Sequence, residues 1–91
     1  MKISTKKKQK ILEHVLFYLY SKNPEPLFTS YIAQELARDE EYTKKLLLEL
    51  KERNLVLEVK KNKEGKVYLR RSRWRLSNEA FKRYDSSQKR N

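Results

Sequence analysis

The sequence predicts an α+β domain in the order helix, short strand, helix, helix, strand, strand, helix. Three observations carry that prediction. Apolar residues recur at helical spacing up to residue 53, the period changes to two from Leu55, and a polar stretch, KNKEG, holds the chain's one glycine between two alternating runs.

Ile11, Leu12, Val15, Leu16 and Leu19 mark a first amphipathic helix over about residues 9–21. Pro24 and Pro26 stop it, because proline lacks the N–H and disfavours helix in the residue before it. Leu27 and Phe28 form a short extended piece, and Thr29 offers a hydroxyl cap to a second helix over about 30–37, with Ile32, Ala33 and Leu36 on its buried face. Asp39 is the cap of a third helix over about 40–53. Thr43, Leu46, Leu47 and Leu50 mark its apolar face, and Glu40 and Glu41 sit in the first turn, where the helix dipole favours them. Asn54 is expected to end it in the left-handed conformation.

Beyond that point Leu55, Leu57 and Val59 share one face of a strand, and Val56, Glu58 and Lys60 the other. Asn62 and Gly65 lie in the hairpin turn, and the returning strand runs from Lys66 to about Leu76. Tyr68, Trp74 and Leu76 have one parity there and Val67 and Leu69 the other, which predicts a bulge or a shift from core to tip within the strand. Ser77 caps a last helix containing Ala80, Phe81 and Tyr84. The expected division is a basic arm over 1–9, a folded unit over 10–84 and a disordered basic tail over 85–91.

Ninety-one residues suffice for one small core and not for two domains. Twenty-three Lys and Arg oppose twelve Asp and Glu, a formal charge of +11, which points to a polyanionic partner. The excess is uneven: residues 1–24 carry +5, 59–81 carry +6 and 82–91 carry +3, while 25–58 carry −3. Zero cysteines exclude disulfides, cysteine metal sites and thiol nucleophiles. No run reaches the length of a membrane span, and the basic start reads poorly as a signal peptide, so a soluble, cytoplasmic location is expected. His14 is the lone histidine, without the further ligands that a metal site needs, and no P-loop, HExxH or GxSxG is present. No enzyme, cofactor or small-molecule substrate is expected.

The order of elements, with Ile32, Ala33 and Leu36 before the turn, Leu47, Leu50, Leu55 and Val56 after it, and Trp74, Leu76 and Ser77 closing the hairpin, resembles the winged helix-turn-helix family. Asn54 stands where that family usually has glycine, Arg38 takes a usually apolar turn position, and Glu40 and Glu41 take positions that are often small, polar or basic. The resemblance implies DNA binding and transcription regulation, with the third helix in the major groove and the hairpin as a wing. Small basic domains of this kind are common in archaea and their viruses, so an archaeal or archaeal-virus regulator is expected, lying in the host cytoplasm if viral and associated with the nucleoid.

On that reading Tyr42, Lys44 and Lys45, beside Leu48, project from the third helix to meet bases or phosphates. The competing reading is a solvated face whose charges pair along the helix, as Glu41 with Lys45. Lys60, Lys61, Lys63, Lys66, Arg70, Arg71, Arg73 and Arg75 crowd the hairpin, with Arg71, Arg73 and Arg75 facing away from Trp74 and Leu76, and suit phosphates or the minor groove. A solubilising strand would look similar. Lys6, Lys7, Lys8 and Lys10 form an arm able to track phosphates or serve as a solubility tail. Trp74 suits a core anchor better than a stacking platform for bases.

Val15, Phe17, Tyr18, Tyr20, Phe81 and Tyr84 present more apolar and aromatic surface than one small core hides, which predicts a homodimer through the first and last helices. These residues wrapping the monomer core is the other reading. The expected function is a non-enzymatic transcription regulator bound to double-stranded DNA. An RNA-binding or ribosome-associated protein and a protein–protein adaptor are the alternatives.

Overall fold

The computed structural model describes residues 4–60 and 71–89. The elements follow the expected order: α1 Thr5–Lys22, β1 Leu27–Phe28, α2 Thr29–Leu36, α3 Glu40–Glu52, β2 Val56–Val59, β3 Arg73–Leu76 and α4 Asn78–Lys89. The strands form one antiparallel sheet in the order β1-β3-β2, with Leu27 opposite Trp74 and Val56 opposite Leu76. Among the described residues four helices and this small sheet make an α+β fold, as the sequence predicts. The expected hairpin turn at Asn62 and Gly65, the parity change among Val67, Tyr68 and Leu69 that predicts a bulge or a shift, and Lys61, Lys63, Lys66 and Arg70 lie outside the described residues.

The core follows the periodicities. Leu12, Val15 and Leu19 of α1, Ile32 of α2, and Leu46, Leu47 and Leu50 of α3 enclose Val56, Trp74 and Leu76 of the sheet. Thr43, fully buried, stays satisfied because its hydroxyl donates to the Asp39 carbonyl at 2.8 Å. Asp39 caps α3, its carboxylate accepting from the Tyr42 N–H at 2.6 Å, and Asn54 takes the left-handed conformation at φ 61°. Ser77 caps the last helix by accepting from the Ala80 N–H at 3.0 Å.

Five features differ from expectation. The first helix begins at Thr5 rather than about residue 9, so Lys6, Lys7 and Lys8 are helical. The dipole disfavours lysines at a helix N-terminus, but the Ser4 hydroxyl accepts from the Lys7 N–H at 3.2 Å, and Lys8 reaches Glu49 of α3 at 3.0 Å. The last helix runs to Lys89, into the stretch expected to be disordered. Tyr20 holds it there, with its ring 4.8 Å from that of Tyr84 and its hydroxyl donating to Asp85 at 2.8 Å.

Thr29 is not the cap of α2; Phe28 is, without a side-chain bond. The Thr29 hydroxyl instead accepts from the Trp74 indole N–H at 2.8 Å, the partner a buried tryptophan requires. α2 ends at Leu36, one residue early, and in the expected turn at Ala37 and Arg38 it is Ala37 that takes φ 55°, a conformation that a residue with a Cβ adopts at some strain. In β2 the parity is as expected, but Val56 is on the buried face while Leu57 is 39% exposed. Leu57 lies outside because Val56 is opposite Leu76 and follows its direction inward. Among the described residues no helix is long and apolar enough to cross a membrane.

Candidate nucleic-acid interface

Because α3 buries Thr43, Leu46, Leu47 and Leu50, the opposite face is left to Glu41, Lys44, Lys45 and Leu48, all exposed. Neither Lys44 nor Lys45 forms an ion pair among the described residues, and neither do Glu40 and Glu41, so the Glu41–Lys45 pairing that a solvated face would show is not formed. Tyr42 departs from the expected projection: it is half-buried and packs against the core.

The returning strand shows the expected alternation, Trp74 and Leu76 inward, Arg73 and Arg75 outward. The three arginines do not share one environment. Arg71 is exposed, and its guanidinium lies 5.7 Å from the centre of the Phe28 ring. Arg73 lies 5.9 Å from the same ring, half-buried across from Phe28 in the sheet. Phe28 thus orients both guanidinium groups at the root of the hairpin through its negative ring face. Arg75 turns along its own strand and donates to the Leu76 carbonyl at 3.1 Å, which leaves it less free for a ligand than Arg71. Lys60 is exposed at the start of the hairpin.

Between these two regions lies an open groove of about 440 Å³. Glu40, Glu41 and Lys44 of α3 form one wall, Arg71 and Ser72 another, and Thr29 and Ser30 at the start of α2 the third. Donors and acceptors therefore stand side by side on one face of the molecule.

The hairpin root is fastened to α3 by Glu58, whose side chain is 8% exposed. Its carboxylate accepts from Lys51 of α3 at 2.8 Å and from the Ser72 hydroxyl just before β3. Burial pushes the Glu58 carboxyl upward, but the bonds from Lys51 and Ser72 and the charges of Lys51 and Lys60 outweigh it, and the group titrates below the usual carboxylate range. Nothing in the sequence singles out Glu58, since a lone acid in an alternating strand looks like any solvated residue. An acid on the Val56 side of the strand, in a basic hairpin, was the signal available.

The remaining predicted residues are scattered. Lys6 and Lys7 are exposed on the first turn of α1, while Lys8 is spent on Glu49, which Arg53 also approaches at 4.0 Å. Trp74 is fully buried, which makes it the core anchor and removes it as a stacking platform. His14 meets Glu35 of α2 at 3.3 Å, a pairing across 21 residues that no local pattern reveals.

No family model and no curated protein matches the sequence. Solved structures do match the fold. Staphylococcus aureus MepR in a complex with DNA superposes with a TM-score of 0.72 at 23% identity, over 86% of this chain and 60% of that one. MepR described as a transcription regulator of the multidrug efflux pump MepA gives 0.67 at 22% identity, over 89% of this chain and 64% of that one. Lactococcus lactis ZitR gives 0.69 at 18% identity, over 89% and 56%. The chain thus spans little more than half the length of these proteins. The four helices and three-stranded antiparallel sheet of its described residues make the winged helix-turn-helix fold that these structures share.

Proposed function

We propose that this chain is a non-enzymatic transcription regulator that binds double-stranded DNA, with α3 in the major groove and the basic hairpin on the backbone or in the minor groove. The observation that carries the reading is that Lys44 and Lys45 stand exposed and unpaired on the outer face of the helix that follows the turn, with Arg71 across the groove from Lys44 at the hairpin root. Cations left without protein partners on one face are what a polyanion neutralises, releasing its counterions. MepR, of the same fold, has been crystallised with DNA, which supports duplex DNA as the ligand. Lys60, Lys61, Lys63, Lys66 and Arg70 add to the phosphate contact, as do Lys6 and Lys7; Lys8, Tyr42, Arg73 and Arg75 contribute less because the protein already engages them.

The active form is a homodimer through α1 and α4. Of the residues expected on that face, Val15 is fully buried and Tyr18, Tyr20 and Phe81 pack on the core, so the reading rests on Phe17, 49% exposed beside the half-buried ring of Tyr84 at 6.2 Å, which a second copy would cover. Two such units would place their α3 helices roughly one duplex turn apart, about 34–36 Å, on a palindromic site. The Lys- and Glu-rich, cysteine-free composition suits a thermophilic source, and the winged-helix resemblance suits a small archaeal or archaeal-virus regulator acting in the cytoplasm on the nucleoid.

The test is a comparison of variants on a selected duplex and on a scrambled one. Lys44→Ala and Lys45→Ala should lower the discrimination between the two, while Arg71→Ala weakens both alike. Uniform weakening by all three substitutions would rule out sequence reading by α3.

A second reading is RNA binding, favoured by the exposed Glu40 and Glu41 at the start of α3. An A-form groove does not admit that helix, so binding would rest on the hairpin and the lysines of α1.

A further inference from the structure

The acidic start of α3 opposes a polyanion, yet it borders the groove that also holds Lys44 and Arg71. Resting on the DNA reading above, we infer that this groove reads a G·C base pair, with Lys44 donating to guanine and Glu40 or Glu41 accepting from cytosine.

The first requirement is that the groups be free. Glu40, Glu41 and Lys44 are exposed and form no ion pair among the described residues, although Lys44 follows the two acids by four and three positions, where helical side chains are neighbours. A cation and a carboxylate therefore stand next to each other with their hydrogen-bonding capacity unused. The second requirement is placement. The N-terminal residues of a helix inserted in the major groove are the ones that meet base edges, and these three occupy the first two turns of α3. Arg71 and Ser72 bound the groove on the far side, where a phosphate would balance the charge that the two acids bring.

The third requirement is the order of groups on the base pair. Across the major groove a G·C pair presents two acceptors, guanine N7 and O6, and then one donor, the cytosine N4 amino group. An ammonium over the two acceptors and a carboxylate over the donor match that order. In an A·T pair the donor, adenine N6, is flanked by acceptors on both sides, so a carboxylate aimed at it meets repelling lone pairs. A carboxylate accepts and does not donate, which makes the discrimination strong in one direction. The acids thus lower affinity for duplexes in general and recover it where cytosine N4 is offered.

The experiment is selection of bound sequences from a random duplex pool, followed by titration of the selected duplex and of the same duplex with one G·C pair replaced by A·T. The wild-type chain should prefer G·C at one position by about tenfold. The double variant Glu40→Ala/Glu41→Ala should bind scrambled duplex several times more tightly, by about threefold or more, and lose the preference at that position. Lys44→Ala should lose the preference at the same position while binding more weakly, which keeps the test informative if removing the acids destabilises α3. Glu40→Gln/Glu41→Gln should move the preference towards A·T, because Gln pairs with adenine through both N6 and N7. Tighter binding by the alanine double variant with its G·C preference intact would overturn the inference and leave the DNA reading standing. Absence of duplex binding by the wild-type chain would overturn both.

Discussion

Lys51 of α3 and Glu58 of β2 are joined at 2.8 Å, with the Ser72 hydroxyl closing the other side of the carboxylate, so one acid with a nearly buried side chain ties the third helix to β2 and to the residue that precedes β3. That arrangement fixes the described ends of the hairpin, which carry Lys60 and Arg71, against α3.

Glu58→Ala is therefore expected to lower stability by about 1–2 kcal/mol, an amount kept small because Lys51 is half-exposed and regains water. Urea unfolding measures this, and duplex affinity should fall with it because the hairpin loses its register against α3. An unchanged midpoint and an unchanged affinity would show that the bond sets neither.

The same carboxyl gives a pH dependence with a definite sign. Its folded-state pKa lies below the ordinary carboxylate value, so the unfolded chain binds the proton more readily. The stabilisation is complete above the unfolded value, above about pH 5, and disappears as pH falls through the lower folded value. Unfolding midpoints of the wild-type chain and Glu58→Gln should differ above pH 5 and converge in acid. A gap that widens on acidification would contradict this.

The Trp74 indole N–H has its partner in Thr29, at the first position of α2. Thr29→Val keeps the shape and leaves that buried donor unsatisfied, and is expected to cost about 1–3 kcal/mol in denaturant unfolding followed by the fluorescence of the lone tryptophan. A cost below about 0.5 kcal/mol would indicate that another acceptor takes over.

Asp39 caps the helix that carries Lys44 and Lys45. Asp39→Ala should lower stability by about 1 kcal/mol and loosen the first turn of α3, reducing selectivity between duplexes more than affinity for any one of them. Equal losses on selected and scrambled duplexes would show that the cap does not shape the reading surface.

For assembly, Phe17→Glu should leave the monomer folded, since Phe17 lies outside the core cluster, and should abolish the dimer. Sedimentation equilibrium at high micromolar concentration measures it. A wild-type chain that sediments as a monomer under those conditions would remove the dimer.

The helix and strand order is legible in the sequence because it rests on spacing: Leu12, Val15 and Leu19, or Leu46, Leu47 and Leu50, declare one face each. Caps with one local partner, Asp39 and Ser77, are legible for the same reason. What the spacing hides is what the tertiary fold decides. Lys8 looks like part of a free arm until the fold brings Glu49 beside it, Thr29 looks like a cap until Trp74 takes its hydroxyl, and Tyr42 looks exposed until the core claims its ring. Glu58 is the clearest case, because a strand acid becomes a buried anchor through Lys51, seven residues earlier, and Ser72, fourteen later. On the candidate interface, Lys44 and Lys45 are exposed as the helix spacing predicts, whereas the arginines of one strand parity divide between Phe28 and a carbonyl.

The most direct measurement is fluorescence anisotropy with one sequence offered as duplex DNA, duplex RNA and single strands, each over a salt series. Duplex DNA should bind most tightly, with log affinity falling linearly against log salt as phosphates displace counterions. Equal or tighter binding of RNA, or binding to no nucleic acid at low salt, would contradict a DNA-binding regulator.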